Sequence, residues 1–298
     1  RPSLLRSGAV RLFLDRARDC VPGFELTPDN GPTIAAICAR LDGIPLALEI
    51  AAVRLRGFPL DRLLEGLDSR FDLLVSPARP LLPRHQTLRT AIGWSHELCS
   101  PAERLLWARL SVFAHSFDLE AAEYVCSGEG LAAEDVLDVL SELLAQSVVS
   151  REETPAGPRY RMLDTVRAYG AEWLEATGDA GRLRRRHRDW YLGLATMCEL
   201  DWFSPRQREV AARVEAELPN LRTALEFCLT EPEEAHLGQH LAGSLWFCWV
   251  GCGRLAEGRR WLERGLELDS GYERSRLKAL WVLGYVAILQ GDTVPALQ

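Results

Sequence analysis

Few side chains in this chain stand at spacings that support catalysis. A phosphate-binding loop of the form G-x-x-x-x-G-K-[ST] supplies backbone N–H groups, a lysine and a metal-binding hydroxyl. That pattern does not occur, and the only lysine is Lys278. The G-x-S-x-G elbow and a dinucleotide fingerprint after a strand are also missing. His236 and His240 stand four residues apart beside Glu233 and Glu234. Such spacing can hold zinc, but there is no H-E-x-x-H pattern and no evident third ligand, so no metal centre is expected. His85, His96 and His115 are isolated. Most of the eight cysteines fall singly within apolar helical patterns, and only Cys248 and Cys252 are close. Without a C-x-x-C they read as buried free thiols of a reducing compartment.

Two segments are more informative. The first is Leu41-Asp42-Gly43-Ile44-Pro45-Leu46-Ala47-Leu48-Glu49-Ile50, and the second is Tyr160-Arg161-Met162-Leu163-Asp164-Thr165-Val166-Arg167. Gly43 suits a left-handed helix stop, and Pro45 suits the first turn of the next helix. From these residue types alone, a plain helix–turn–helix junction serves as well as a ligand contact.

The elements around them are almost all helical. Ser7 is positioned to cap a helix that turns Val10, Phe13, Leu14 and Ala17 inward, and Val21-Pro22-Gly23 ends it. Helices are predicted over 33–41, 45–56 and 60–67, completing a four-helix block over residues 1–82. Helices over 87–96, 101–112, 117–126 and 134–146 follow. A hairpin is predicted from Val148–Arg151 and Tyr160–Met162 around Pro155 and Gly157, then a helix over 165–177. This order over residues 83–178 is that of a winged helix. Residues 179–298 read as a helical repeat: Leu245, Trp246, Trp249, Gly253 and Gly258 align at a shift of 38 with Leu283, Gly284, Ala287, Gly291 and Ala296. The fold class is therefore mostly α with one small hairpin. Arg1-Pro2-Ser3 at one end and Pro295–Gln298 at the other read as a segment of a longer protein.

Together the two motifs resemble the adenine-contacting Gly-x-Pro turn and the Met-His-Asp-type segment of signal-transduction (STAND) ATPases with numerous domains. That class includes NB-ARC proteins and bacterial regulators of the LuxR and antibiotic-regulatory types. Val10–Phe13, Arg70–Leu74, Arg84–Arg89, Trp94–Leu98, Ser100–Glu103 and Leu110–Phe113 extend the likeness in order. The resemblance implies a helical lid over 1–82, a winged helix over 83–178 and tetratricopeptide-like repeats over 179–298. It places Pro45 on an adenine ring, with Gly43 and Ile44 shaping the turn. Leu163 stands where the family carries a phosphate-sensing His, and a leucine donates no hydrogen bond. Asp164 is then read as a helix cap. ATP or ADP, with magnesium, would be held against a nucleotide-binding core upstream of this segment. The segment would not be an enzyme, whereas its parent would be a slow switch ATPase.

Charge narrows the partners. With 35 basic and 42 acidic residues the net charge is −7, which disfavours a dominant nucleic-acid role. The predicted reading helix 134–146 carries Glu134, Asp135, Asp138 and Glu142 and no Lys or Arg, so DNA contact is expected from a domain outside the segment. Arg182, Arg184, Arg185, Arg186 and Arg188 form the one basic run, read as solvated or ion-paired rather than DNA-binding. Trp246, Phe247, Trp249, Trp261, Trp281 and Tyr285 line a groove or pack between repeats. No apolar stretch is long enough to span a bilayer. The expectation is a cytoplasmic bacterial transcription regulator whose repeats sense a ligand or protein, with nucleotide-dependent oligomerisation as a further expectation. The alternatives are a helical-repeat scaffold without nucleotide and a DNA-binding winged-helix protein.

Overall fold

The structure, a computed structural model, describes residues 7–73, 83–269 and 271–292. Of the residues named above, 1–3, 74, 82 and 295–298 lie outside that set, as do the side chains of 70–73 and 84–87. The fold is mostly helical with one small sheet. The chain forms two compact units. One comprises Arg1–Ser111, Gly128–Arg151 and Arg161–Leu174, and the other Val112–Ser127, Glu152–Tyr160 and Glu175–Gln298.

The first unit opens with α1 (Gly8–Cys20), α2 (Gly31–Arg40), α3 (Pro45–Val53) and α4 (Leu60–Leu73). Ser7 is the N-cap of α1, but its side chain makes no capping hydrogen bond. Helix α2 begins two residues before the predicted start, because Pro32 fits the first turn. Phe13, Ile34, Ile37, Leu48 and Leu63 are fully buried in the core of these helices. Then come α5 (Pro83–Leu98) and α6 (Pro101–Leu110). Ser100 and Glu103 close a capping box: each side chain takes the other's backbone N–H, which fixes the start of α6.

The sheet is built from β1 (Ser116–Phe117), β2 (Ser150–Thr154) and β3 (Gly157–Arg161), in the order β1-β3-β2. Between β1 and β2 lie α7 (Leu119–Cys126), capped by the Asp118 side chain, and α8 (Val136–Ala145). Helices α6, α7 and α8 followed by the β2–β3 hairpin run in the chain order of a winged helix. The hairpin differs from its prediction. Val148 and Val149 are buried ahead of the ladder, and β2 carries the exposed residues Ser150–Glu153 instead. Only Pro155 and Ala156 separate β2 from β3, so the pairing is tighter than the apolar pattern suggested. The predicted helix over 117–126 gives its first residue to β1, because the Asp118 cap makes Leu119 the helix start.

After α9 (Asp164–Ala176), which stops at Gly178 with φ 74°, the second unit continues through six helices. These are α10 (Ala180–Asp201), α11 (Gln207–Thr230), α12 (Ala235–Ser244), α13 (Trp246–Gly251), α14 (Leu255–Glu267) and α15 (Glu273–Leu289). Successive helices pack on one another: α10 on α11, α11 on α12, and α14 and α15 on α12. The 38-residue register is visible at two helix ends. Gly253 and Gly291 are left-handed, with φ of 72° and 78°. Arg254 N–H donates to Trp249 O at 2.8 Å, and Asp292 N–H to Ala287 O at 2.9 Å. The register fails within the helices. Leu245 breaks α12 from α13, whereas α15 runs through the matching position. Gly284, which matches Trp246 in this register, has no described atom within 4 Å of a would-be Cβ.

Candidate functional site

The Gly43-Ile44-Pro45 turn is shaped by backbone demands. Asp42 and Gly43 are both left-handed, with φ of 49° and 63°. Such φ is free for glycine and tolerable for aspartate. Gly43 N–H donates to Cys38 O at 3.0 Å and Ile44 N–H to Leu41 O at 2.9 Å, and these backbone bonds close the end of α2. Ile44 is extended, as a residue before proline must be, and Pro45 opens α3 with its ring exposed.

This turn forms one wall of a cavity of about 590 Å³, within the usual size of small-molecule sites. Leu88, Arg89 and Ile92 of α5 form a second wall, and Thr165, Ala168, Tyr169 and Glu172 of α9 a third. All belong to the first unit. Two segments more than a hundred residues apart in sequence thus face the same space. Arg89 and Glu172 join α5 to α9 by a two-pronged ion pair at 2.8 and 2.5 Å. Hydrogen bonding to the partner raises the Arg89 pKa and lowers that of Glu172. The Arg89 guanidinium also lies 5.6 Å from the Tyr169 ring centre.

Behind Tyr169 is an aromatic cluster. His96 stacks on Trp173 at 4.6 Å and meets Trp107 and Tyr169 edge-on at 5.4 Å each. Burial depresses the His96 pKa to about 4, with Arg104 adding to the effect. Trp107 donates from Nε1 to Val166 O at 3.0 Å, tying α6 to α9. The far end of α3 is held separately. Arg54, 8% exposed, donates from Nη2 to Ser95 O at 2.9 Å, Ser95 Oγ at 2.5 Å and Gln146 Oε1 at 3.1 Å. One guanidinium thus fixes α3 to α5 and to the residue that ends α8.

Of the residues singled out by sequence, Gly43, Ile44 and Pro45 come together on the cavity. Leu163 does not line it. It is 45% exposed, and its carbonyl starts the first turn of α9 by accepting from Arg167 N–H. Asp164 is the first residue of α9 and faces Arg167 at 3.8 Å, so it acts from within the first turn rather than as a preceding cap. Arg89, Tyr169 and Glu172 line the cavity but were not singled out. Arg89 sits in a recognised motif, but nothing in either segment signals a pairing across 83 residues.

The other candidates take ordinary roles. His236 stacks on Tyr272 at 4.2 Å. Among the described residues no group of three His, Cys, Asp or Glu could hold a metal ion. The cysteines are free thiols. In the arginine run, Arg182 pairs with Asp179, Arg184 with Glu175, and Arg188 with Asp189 and Glu234, while Arg186 binds the carbonyls of Tyr124 and Val125. The exposed side of α8 presents Leu137, Asp138, Ser141 and Glu142. No described helix is long and apolar enough to cross a membrane.

Residues 99–175 match the winged helix-turn-helix domain family, in agreement with α6, α7, α8 and the β2–β3 wing. The chain therefore carries a winged helix-turn-helix domain. Over 268 residues, 89% of its length, it is 41% identical to proteins of Mycobacterium tuberculosis and Mycobacterium bovis named "Putative HTH-type transcriptional regulator". It is also 38% identical over 188 residues, 63% of its length, to an uncharacterised M. tuberculosis protein, covering 48% of that protein. The chain spans 30% of the length of the named regulators.

Proposed function

We propose that this chain is the lid and winged-helix segment of an ATP/ADP-switched bacterial transcription regulator, followed by tetratricopeptide-like sensor helices. The observation that carries the reading is the shared cavity: the Gly43-Ile44-Pro45 turn and the helix after Leu163 are the two stretches that resemble nucleotide-switch proteins, and both line it. The similarity to proteins named as HTH-type regulators supports the output side. In this reading adenine stacks on the exposed Pro45 ring. An upstream core supplies the phosphate loop and magnesium. Nucleotide state and a ligand or protein on α10–α15 bias one conformational equilibrium, as linkage requires. With leucine at 163, no histidine locks the ADP state. The segment itself has no turnover, is cytoplasmic, and reaches DNA through another domain. Nucleotide-dependent oligomerisation belongs to the same scheme.

The test is calorimetric titration of ATP and ADP into the intact regulator and its Pro45→Ala variant. A lost apolar contact is expected to weaken binding by about 1 kcal/mol, roughly fivefold. Unchanged affinity in a folded variant would return the turn to a structural role. A second reading, a protein-binding scaffold without nucleotide, is favoured by one observation. Phe203, Trp281 and Tyr285 are exposed and join Trp246 in a continuous aromatic row with ring centres 5.9–6.3 Å apart.

A further inference from the structure

Helix α15 is apolar on two faces. Ala279, Val282, Val286 and Ala287 are buried, and the helix packs on α12 and α14. On the other face Leu277, Leu280, Trp281, Tyr285, Ile288 and Leu289 are 37–63% exposed. Counted from Leu277 they fall at i+3, i+4, i+8, i+11 and i+12, the spacing of a face that packs on another helix. No charged residue occurs from Ala279 to Gln290. A helix apolar all round is one that is covered on every side. In the middle of the exposed face stands Gly284, and no described atom comes within 4 Å of a Cβ built there. Glycine weakens a helix interior, and no described group of this chain fills the space that its missing side chain leaves.

We propose that α15 is a dimerisation helix, on which a second copy of this chain docks antiparallel and without need of nucleotide. The exposed face is self-complementary. With a two-fold axis between residues 284 and 285, Leu280 meets Leu289 of the second copy, Trp281 meets Ile288, and Tyr285 falls on Gly284. The same pairs recur in reverse, so the contact closes on itself. Antiparallel pairing also sets the positive N-terminal end of each helix beside the negative C-terminal end of the other. Phe203 extends the face through Trp246. Together these side chains expose on the order of 800 Å² per copy, about what a standard interface takes from each partner. A further repeat stacked in the 38-residue register fits this face less well. One register back, Trp281 corresponds to Gly243, where a Cβ would lie 3.0 Å from Lys278 Cγ of α15. The glycine admits that close approach, and a tryptophan blocks it.

The experiment is sedimentation equilibrium of the 298-residue chain under reducing conditions without nucleotide, repeated with Leu280→Glu, Gly284→Leu and the double variant Leu280→Glu/Leu289→Lys. Circular dichroism of each variant checks its fold. The unmodified chain is expected to be a dimer with a dissociation constant in the micromolar range or below. Leu280→Glu places a charge in the apolar contact and weakens the dimer about a hundredfold. Gly284→Leu fills open space and favours the helix, so the fold is kept while the dimer weakens about tenfold through the lost seat for Tyr285. The double variant recovers about tenfold of the loss, because each introduced carboxylate then faces an introduced ammonium on the other copy. A chain that stays monomeric throughout the micromolar range gives the face to a different partner or to a helix of a longer protein, and overturns the proposal. A dimer that Leu280→Glu and Gly284→Leu leave intact overturns it as well. A double variant no tighter than Leu280→Glu overturns the antiparallel pairing.

Discussion

His96 shows how the aromatic cluster constrains a single side chain. The His96 ring meets those of Trp107, Tyr169 and Trp173, and His96 is only 2% exposed. Its folded pKa is about 4 against 6.5 for the free side chain. The unfolded chain therefore binds more protons than the folded one between these values, and stability falls as pH drops through that window. His187, fully buried between Phe113 and Tyr191, behaves the same way in the second unit, with a pKa of about 4. Denaturant titrations at pH 7 and pH 4.5 should show a loss above about 1 kcal/mol, and His96→Phe should remove part of it. An acid dependence untouched by His96→Phe and its His187 counterpart would contradict this.

Glycines separate two opposed effects at the same scale. A Cβ at Gly170 would lie 2.8 Å from Trp107 Cδ1 and 2.9 Å from Trp107 O, and a backbone carbonyl cannot swing aside. Gly170→Ala should cost about 1–3 kcal/mol through overpacking, outweighing the helix-propensity gain of up to about 1 kcal/mol. Gly193 in α10 is exposed with no atom within 4 Å of its would-be Cβ, so Gly193→Ala should raise stability by up to about 1 kcal/mol. Thermal melts of the two variants should move in opposite directions.

Among elements, the wing strand β3 is held by a buried ion pair. Arg159 pairs with Glu217 of α11 and donates to Ser116 O at 2.8 Å, while Tyr191 Oη and Asn220 Nδ2 donate to Glu217 Oε2 at 3.0 and 3.1 Å. Removing one partner leaves a buried charge alone. Glu217→Ala should therefore destabilise the second unit by about 3–5 kcal/mol, whereas replacing both Arg159 and Glu217 by apolar residues should recover much of it. Chemical denaturation of the three proteins decides this, and a loss below about 1 kcal/mol in the single variant would contradict it.

The elements also show what a sequence can reveal. The Gly43 stop and the Pro45 start were legible because each depends on residue types a few positions apart, whereas the Ser100–Glu103 capping box appeared only in the structure. The β1 strand was not, because two residues carry no period. The wing was misplaced by two residues because Val148 and Val149 are buried for reasons of packing rather than pairing. Arg89–Glu172, Arg54–Ser95–Gln146 and Arg159–Glu217 were illegible because each joins distant segments whose local sequence is indifferent to the partner. The cavity was half legible: its turn was named in advance, but its charged pair was not.

At the scale of the molecule, acidity and engaged arginines set the expectation for DNA. The exposed side of α8 offers Asp138 and Glu142, and of the arginine run only Arg185 makes no ion pair or side-chain hydrogen bond among the described residues. The chain should bind duplex DNA weakly and without sequence preference in a mobility-shift assay at near-physiological salt. Tight, sequence-selective binding would make this winged helix the DNA reader.

The central claim is that the Gly43-Ile44-Pro45 turn and α9 enclose a purine. Photolabelling the folded 298-residue chain with 2-azidoadenosine, followed by peptide mapping, tests it most directly. The predicted result is label on peptides containing residues 42–45 and 165–172, lost when excess adenosine competes. Label confined to other peptides, or label at these positions that adenosine does not displace, would contradict the claim.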